Sequence, residues 1–324
     1  METLPTLRRA PIASARQGLD LLKKELNRQI LTALAGKGPM TVEELVSWLL
    51  LRARSAAEGH LEELLEAGAL ERCERDGETA YRLTAAGRGL VKVVDVATAW
   101  LLAHPKRPLD ESSPIAWRAF AALADAWQSA ILEWIVRRAP SEGEIANGIA
   151  GLSPRELRKQ LRRLRGAGLI ERRKGREGSE RSRLTDWGRR GFGVLAVAAA
   201  WEHAFVEGRV PIAAVDAVVA LLGTLPLVRL PEDISGLCTL TASVEPGDDS
   251  RPRAAMVWAK VRHGRVVGCG EGPPGREADA WVSGAFSAWL AAVIDGKDAL
   301  ERGGDREFAA TIVNQLHLQL FGDR

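Results

Sequence analysis

Cysteine is scarce: Cys73, Cys238 and Cys269 lie far apart in 324 residues, odd in number and without a CxxC or Cys/His spacing. Zinc binding is therefore not expected, and reduced thiols in a cytoplasmic protein are. The opening residues 1–5 hold no apolar run that could serve as a signal peptide. No stretch reaches the roughly 18 apolar residues of a membrane span. The longest candidate, 192–205, is interrupted by Glu202 and His203. Charge of one sign is also missing, with 45 basic against 42 acidic residues and a net of +3. A nucleic-acid footprint must then show as local clustering.

Catalytic signatures are absent as well. There is no GxxxxGK[ST] phosphate loop, no GxSxG elbow and no HExxH pair. His60, His104, His203, His263 and His317 are scattered, and each reads as a surface or capping residue. The Gly-rich run 268–272 follows a hairpin strand and leads into Pro273 and Pro274, without the helix a dinucleotide site requires. No enzyme activity, metal or cofactor is expected.

What is present is an internal repeat. Residues 67–72 read AGALER and residues 167–172 read AGLIER; at the same offset Leu61 and Leu64 fall on Leu161 and Leu164. One residue further on, LTAAGR at 83–88 falls on LTDWGR at 184–189, and Trp100 falls on Trp201. Each copy predicts a long amphipathic helix (21–35, 118–138), a short helix (41–50, 141–149), a third helix (52–67, 153–166), two strands around a polar loop (76–78, 175–179) and an apolar closing helix (87–102, 188–205). Thr41 with Glu44, Ser141 with Glu144 and Ser153 with Glu156 have the spacing of capping boxes. Gly68 and Gly168 stand where a C-cap needs positive φ.

Three helices followed by a hairpin make a winged helix. The run Ser153, Pro154, Arg155, Glu156, Leu157, with Leu161, Leu164, AGLIER at 167–172 and LTDWG at 184–188, resembles the HxlR-type regulators, well over 118–205 and less well over 20–104. Beyond 211 the pattern changes to strands at 237–244, 254–261, 265–269 and 278–283, then helices at 284–294 and up to 320, with His263 and Gly264 as a tight turn. Here ADAWV at 278–282, IDGK at 294–297 and LERGGD at 300–305 look like the sterol carrier protein type two-like domain, an apolar-cavity fold. The expected fold is α+β and mostly α: a first winged-helix unit at 15–104, a linker at 105–117, a second unit at 118–208, and a mixed sheet domain with an apolar cavity at 211–324.

The chemistry concentrates in the second unit. Turning 100° per residue buries Leu157, Leu161 and Leu164 and sets Arg155, Lys159 and Arg162 on the opposite face, flanked by Arg158 and Arg163. Residues 151–183 hold twelve Lys/Arg against four Glu. Ser153 at the start of that helix and Lys174, Arg176, Arg181 and Arg183 in the wing complete the candidate DNA contacts, since Arg binds phosphate or a guanine edge bidentately. The first unit is an internal control: Ser55, Gly59 and Glu62 replace Arg155, Lys159 and Arg162, and residues 51–83 carry five Arg against eight Asp/Glu. It is expected to be a scaffold, pairing with the second unit as an intrachain pseudo-dimer or supporting a homodimer. In the C-terminal domain Trp258, Trp281, Phe286, Trp289 and Phe308 are the candidate lining of a pocket for a hydrophobic effector. The expectation is a ligand-responsive transcriptional regulator of duplex DNA, with a hinge at 206–211. Its alternatives are a carrier that sequesters a hydrophobic metabolite, protecting its producer, with vestigial winged helices, and a nucleic-acid enzyme.

Overall fold

The computed structural model describes residues 16–106, 108–109, 113–138, 140–149, 151–174, 180–207, 214–244, 253–297 and 299–322. The first stretch runs through α1 (Arg16–Leu22), α2 (Glu25–Lys37), the short strand β1 (Met40–Thr41), α3 (Val42–Trp48), α4 (Ser55–Glu66), the hairpin β2 (Leu70–Arg75) and β3 (Glu78–Leu83), and α5 (Ala85–Leu102). A second stretch then runs through α6 (Pro114–Ala124), α7 (Ala126–Arg138), α8 (Glu142–Gly148), α9 (Pro154–Gly166), the hairpin β4 (Ile170–Lys174) and β5 (Glu180–Leu184), and α10 (Asp186–Phe205).

The single helix predicted over 118–138 is broken at Asp125. Its carboxylate accepts the amide of Gln128 at 2.9 Å, capping α7, while Ser129 Oγ donates to the Leu123 carbonyl at 2.9 Å. A matching break separates α1 from α2, where Arg28 donates to the Leu22 carbonyl. Because α6 starts at Pro114, it takes up part of the expected linker, and Leu109 of that stretch is buried with its amide on Leu101 O at 3.2 Å.

The two closing helices begin alike. Thr84 Oγ1 accepts from the Gly87 amide at 3.1 Å and donates to Gly68 O at 2.6 Å; Thr185 Oγ1 does the same with Gly188 and Gly168 at 2.9 and 2.7 Å. A Cβ at Gly87 would overlap the carbonyl of Ala69, and one at Gly188 that of Leu169. The helices then pack on each other end for end. Trp100 Nε1, near the end of α5, donates to Trp187 O in the first turn of α10 at 2.9 Å. Trp201 Nε1, near the end of α10, donates to Ala86 O in the first turn of α5 at 2.8 Å. Trp187 Nε1 returns a bond to Trp100 O at 2.8 Å, and those two indoles stack with centroids 4.5 Å apart.

The C-terminal domain opens with α11 (Ala214–Thr224) and a 3-10 turn at Leu225–Leu227. It continues through β6 (Gly236–Val244), β7 (Arg253–Arg262), β8 (Arg265–Glu271), β9 (Ala280–Ala285), α12 (Phe286–Asp295), β10 (Glu301–Gly304) and α13 (Arg306–Phe321). The sheet order is β10-β9-β6-β7-β8, antiparallel except for the β6–β9 pair. His263 and Gly264 both take positive φ in the two-residue turn between β7 and β8.

The five aromatic residues expected to line one pocket are split by the sheet. Phe308 lies against Gly236 on the helix-packed face, and Phe286 and Trp289 are buried in α12. Trp258 and Trp281 alternate with the buried Val257, Ala259, Ala280 and Val282, so they lie on the other face, with Thr239 between them in register. Trp258 covers Gly270 and Trp281 covers Gly303, glycines that leave room for an indole flat on the strand. Between sheet and helices, Cys238, Leu240, Ala242, Val257, Ala259, Ala280, Val282 and Ile312 are all at 0% exposure. These side chains are closely packed, and the sheet keeps the five aromatic residues from lining a single shared pocket. The Cys238 thiol, pushed up to about 12 by burial, is an inert core group.

Candidate nucleic-acid interface

The sequence of α9 fixes both its start and its orientation. Ser153 accepts the Glu156 amide at 3.2 Å as N-cap, and Pro154 supplies the fixed φ of a first helical residue. The expected capping box is present at Thr41 and at Ser141 but not here, because the Glu156 carboxylate turns to Gln160 Nε2 at 2.6 Å and Lys159 at 3.4 Å. At Ser141, bonds from its own backbone amide and hydroxyl hold the Glu144 carboxyl below its ordinary range.

Leu157, Leu161 and Leu164 are buried at 2%, 0% and 0%, which leaves Arg155, Arg158, Lys159, Arg162 and Arg163 exposed on the opposite side. Among the described residues Arg155, Arg158, Arg162 and Arg163 make no ion pair; Arg158 Nε donates to the Pro154 carbonyl at 3.2 Å. The outward face of α9 is thus largely uncompensated positive charge.

The hairpin divides its cations. Register places Lys174 on the face of Ile170 and Arg172, and Arg181 and Arg183 on the face of Glu171 and Arg173. Arg181 is half-buried and paired in register with Ser141, whereas Lys174 and Arg183 are exposed. Arg176 lies outside the described residues.

Two residues that pattern reading passed over lock this assembly. Glu142 Oε1, in the first turn of α8, accepts from Arg165 of α9 at 3.5 Å and from Arg172 of β4 at 3.2 Å, tying three elements together. Trp134 of α7 packs on Gly148, where any Cβ would overlap the indole. No spacing rule marks Glu142, because its partners are brought to it by the fold.

The corresponding surface of the first stretch is neutralised from within. Glu62 pairs with Arg72, Glu58 with Arg54 at 2.7 Å, and Glu63 with Lys24 at 2.6 Å. His60 Nδ1 is held by Asn27 Oδ1 at 2.7 Å, a structural role.

Residues 122–209 match the HxlR-like helix-turn-helix family. The HxlR-like segment therefore takes in α7 to α10 whole, with the cationic face of α9 at its centre. No curated protein matches the chain. Among the described residues no helix is long and apolar enough to cross a membrane.

Proposed function

We propose that the chain is a DNA-binding transcriptional regulator in which α9 enters the major groove and the β4–β5 hairpin reaches the flanking backbone. The observation that carries this reading is the exposed, unpaired set Arg155, Arg158, Arg162 and Arg163 on one helix of an HxlR-like segment. The first unit is a degenerate winged helix whose charges are neutralised by internal pairs, and α5 and α10 join it to the second unit as an intrachain pseudo-dimer. The C-terminal domain is a sensor for a small, largely apolar effector, which regulates by binding the DNA-competent and DNA-incompetent states unequally.

The test is fluorescence anisotropy against duplex DNA from upstream of the protein's own gene and against a scrambled duplex, over a salt series. Neutralising five phosphates gives a log–log salt slope of about −4.5, and recognition gives a preference of roughly 1000-fold for the cognate duplex. Arg155→Glu combined with Arg162→Glu is expected to abolish binding with an unchanged circular dichroism spectrum, while Glu62→Lys leaves affinity within a few-fold. Retained affinity in the double variant would overturn the assignment of α9.

A further inference from the structure

An open cleft of about 290 Å³ lies where α5, α10 and α12 meet, one helix from each of the three parts of the chain. Trp201 and Phe205 of α10 stand on one side, and Leu290 and Ile294 of α12 on the other. The aromatic side is rigid, because the Trp201 indole is fixed by its bond to Ala86 O and the missing side chain of Gly89 lets both rings lie against α5. Phe205 remains 43% exposed, so apolar surface is open to an occupant. At the rim the ammonium of Lys92, from α5, pairs with the carboxylate of Asp295, the last residue of α12.

The electrostatics select the kind of occupant. Both α10 and α12 end at the cleft, each bringing the negative pole of its dipole to it. Asp295 adds a full negative charge, and indole and phenyl faces attract cations. Against these stand the imidazole of His203, which also lines the cleft, and Lys92, whose side chain is 49% exposed on a long flexible stem that can return to water. We propose that this cleft binds a small aromatic or alkyl cation, a quaternary or protonated nitrogen on an apolar body. Its charge takes the place of the Lys92 ammonium at Asp295, and its body lies on the exposed Phe205 ring in the cleft between α10 and α12. Occupancy then severs the ion pair linking the first unit to the C-terminal domain and presses on α10, which starts two residues after the wing strand β5. This gives the sensor reading above, on which it rests, a site and a ligand class. The site is the junction of the domains and not the interior of the C-terminal one.

The probe is N-methylacridinium, titrated calorimetrically into the full chain, with the anion 1-anilinonaphthalene-8-sulfonate as the opposite-charge control. Saturable binding of the cation is expected, weakened at least tenfold by Ala200→Trp, which fills the cleft, and by Asp295→Asn, a rim change that leaves the core intact. Lys92→Met removes the competing charge and is expected to tighten the cation several-fold. Absence of saturable binding, indifference to both Ala200→Trp and Asp295→Asn, or stronger binding of the sulfonate would each overturn the site. A cation that binds with this variant pattern and leaves DNA affinity unchanged would support the site and overturn the sensor reading instead.

Discussion

Glu133 is a carboxylate placed where a neutral group would be more comfortable. It sits in α7 at 1% exposure, its Oε2 has no hydrogen-bond partner, and its ion pair with Arg137 is long at 3.5 Å. Arg137 also donates from Nε to Glu271 of β8 at 3.0 Å, so its charge is shared between the two domains. Burial pushes the Glu133 carboxyl up to about 7, against the pull of Arg137 and with help from Asp216 and Glu271. A carboxyl raised on folding holds its proton longer in the native state, so stability falls as pH rises from the unfolded value near 4.5 to about 7. Glu133→Gln is expected to leave stability unchanged below that window and to raise it above by up to about 3 kcal/mol. Urea denaturation at pH 4 and pH 8 measures both ends, and equal effects at the two would refute the assignment. Nothing in the sequence singles out Glu133, because its burial depends on α11 and β8, folded against it from the far end of the chain.

At the scale of elements, two glycines in comparable helices should respond in opposite directions. Gly188 lies against the Leu169 carbonyl, so Gly188→Ala must push α10 away from the hairpin, at a cost of about 2 kcal/mol or more. Gly59, inside α4, has open space around it, and Gly59→Ala is expected to stabilise by about 1 kcal/mol through helix propensity alone. Chemical denaturation of the two variants decides both signs. The helices themselves were legible wherever the apolar period was strong, as in α9, where Leu157, Leu161 and Leu164 define the buried stripe and, by opposition, the cationic face. The breaks at Asp125 and before Glu25 were not legible, since the apolar pattern runs on across them and only side-chain bonds to the backbone end the first helix. The aromatic set of the C-terminal domain misled for a related reason. Bulky residues were gathered by type, while strand alternation sends Trp258 and Trp281 to the face opposite Phe308.

For the molecule as a whole, the repeat was readable as an offset of matching residues and its charge asymmetry with it, but the docking of the C-terminal domain on one half was not. Arg189 donates to the carbonyls of Leu222 and Gly223 at 3.4 and 2.9 Å, and Phe192 is covered by Gly223, so α11 fills the groove beside the second hairpin. The corresponding residues Arg88 and Val91 of the first half line an open cleft of about 390 Å³. The C-terminal domain has docked on the half that carries the cationic helix. The bonds from Trp100 to Trp187 and from Trp201 to Ala86 have a further effect, which belongs to mass action. Two separate chains joined this way would part on dilution, whereas two halves of one chain keep a fixed effective concentration. The near-ultraviolet circular dichroism of the stacked indoles should therefore be the same, per mole, in dilute and in concentrated solution. If the proposed pseudo-dimer reads DNA as one chain, DNA occupancy rises with the first power of protein concentration, and a steeper dependence would show that two chains act together.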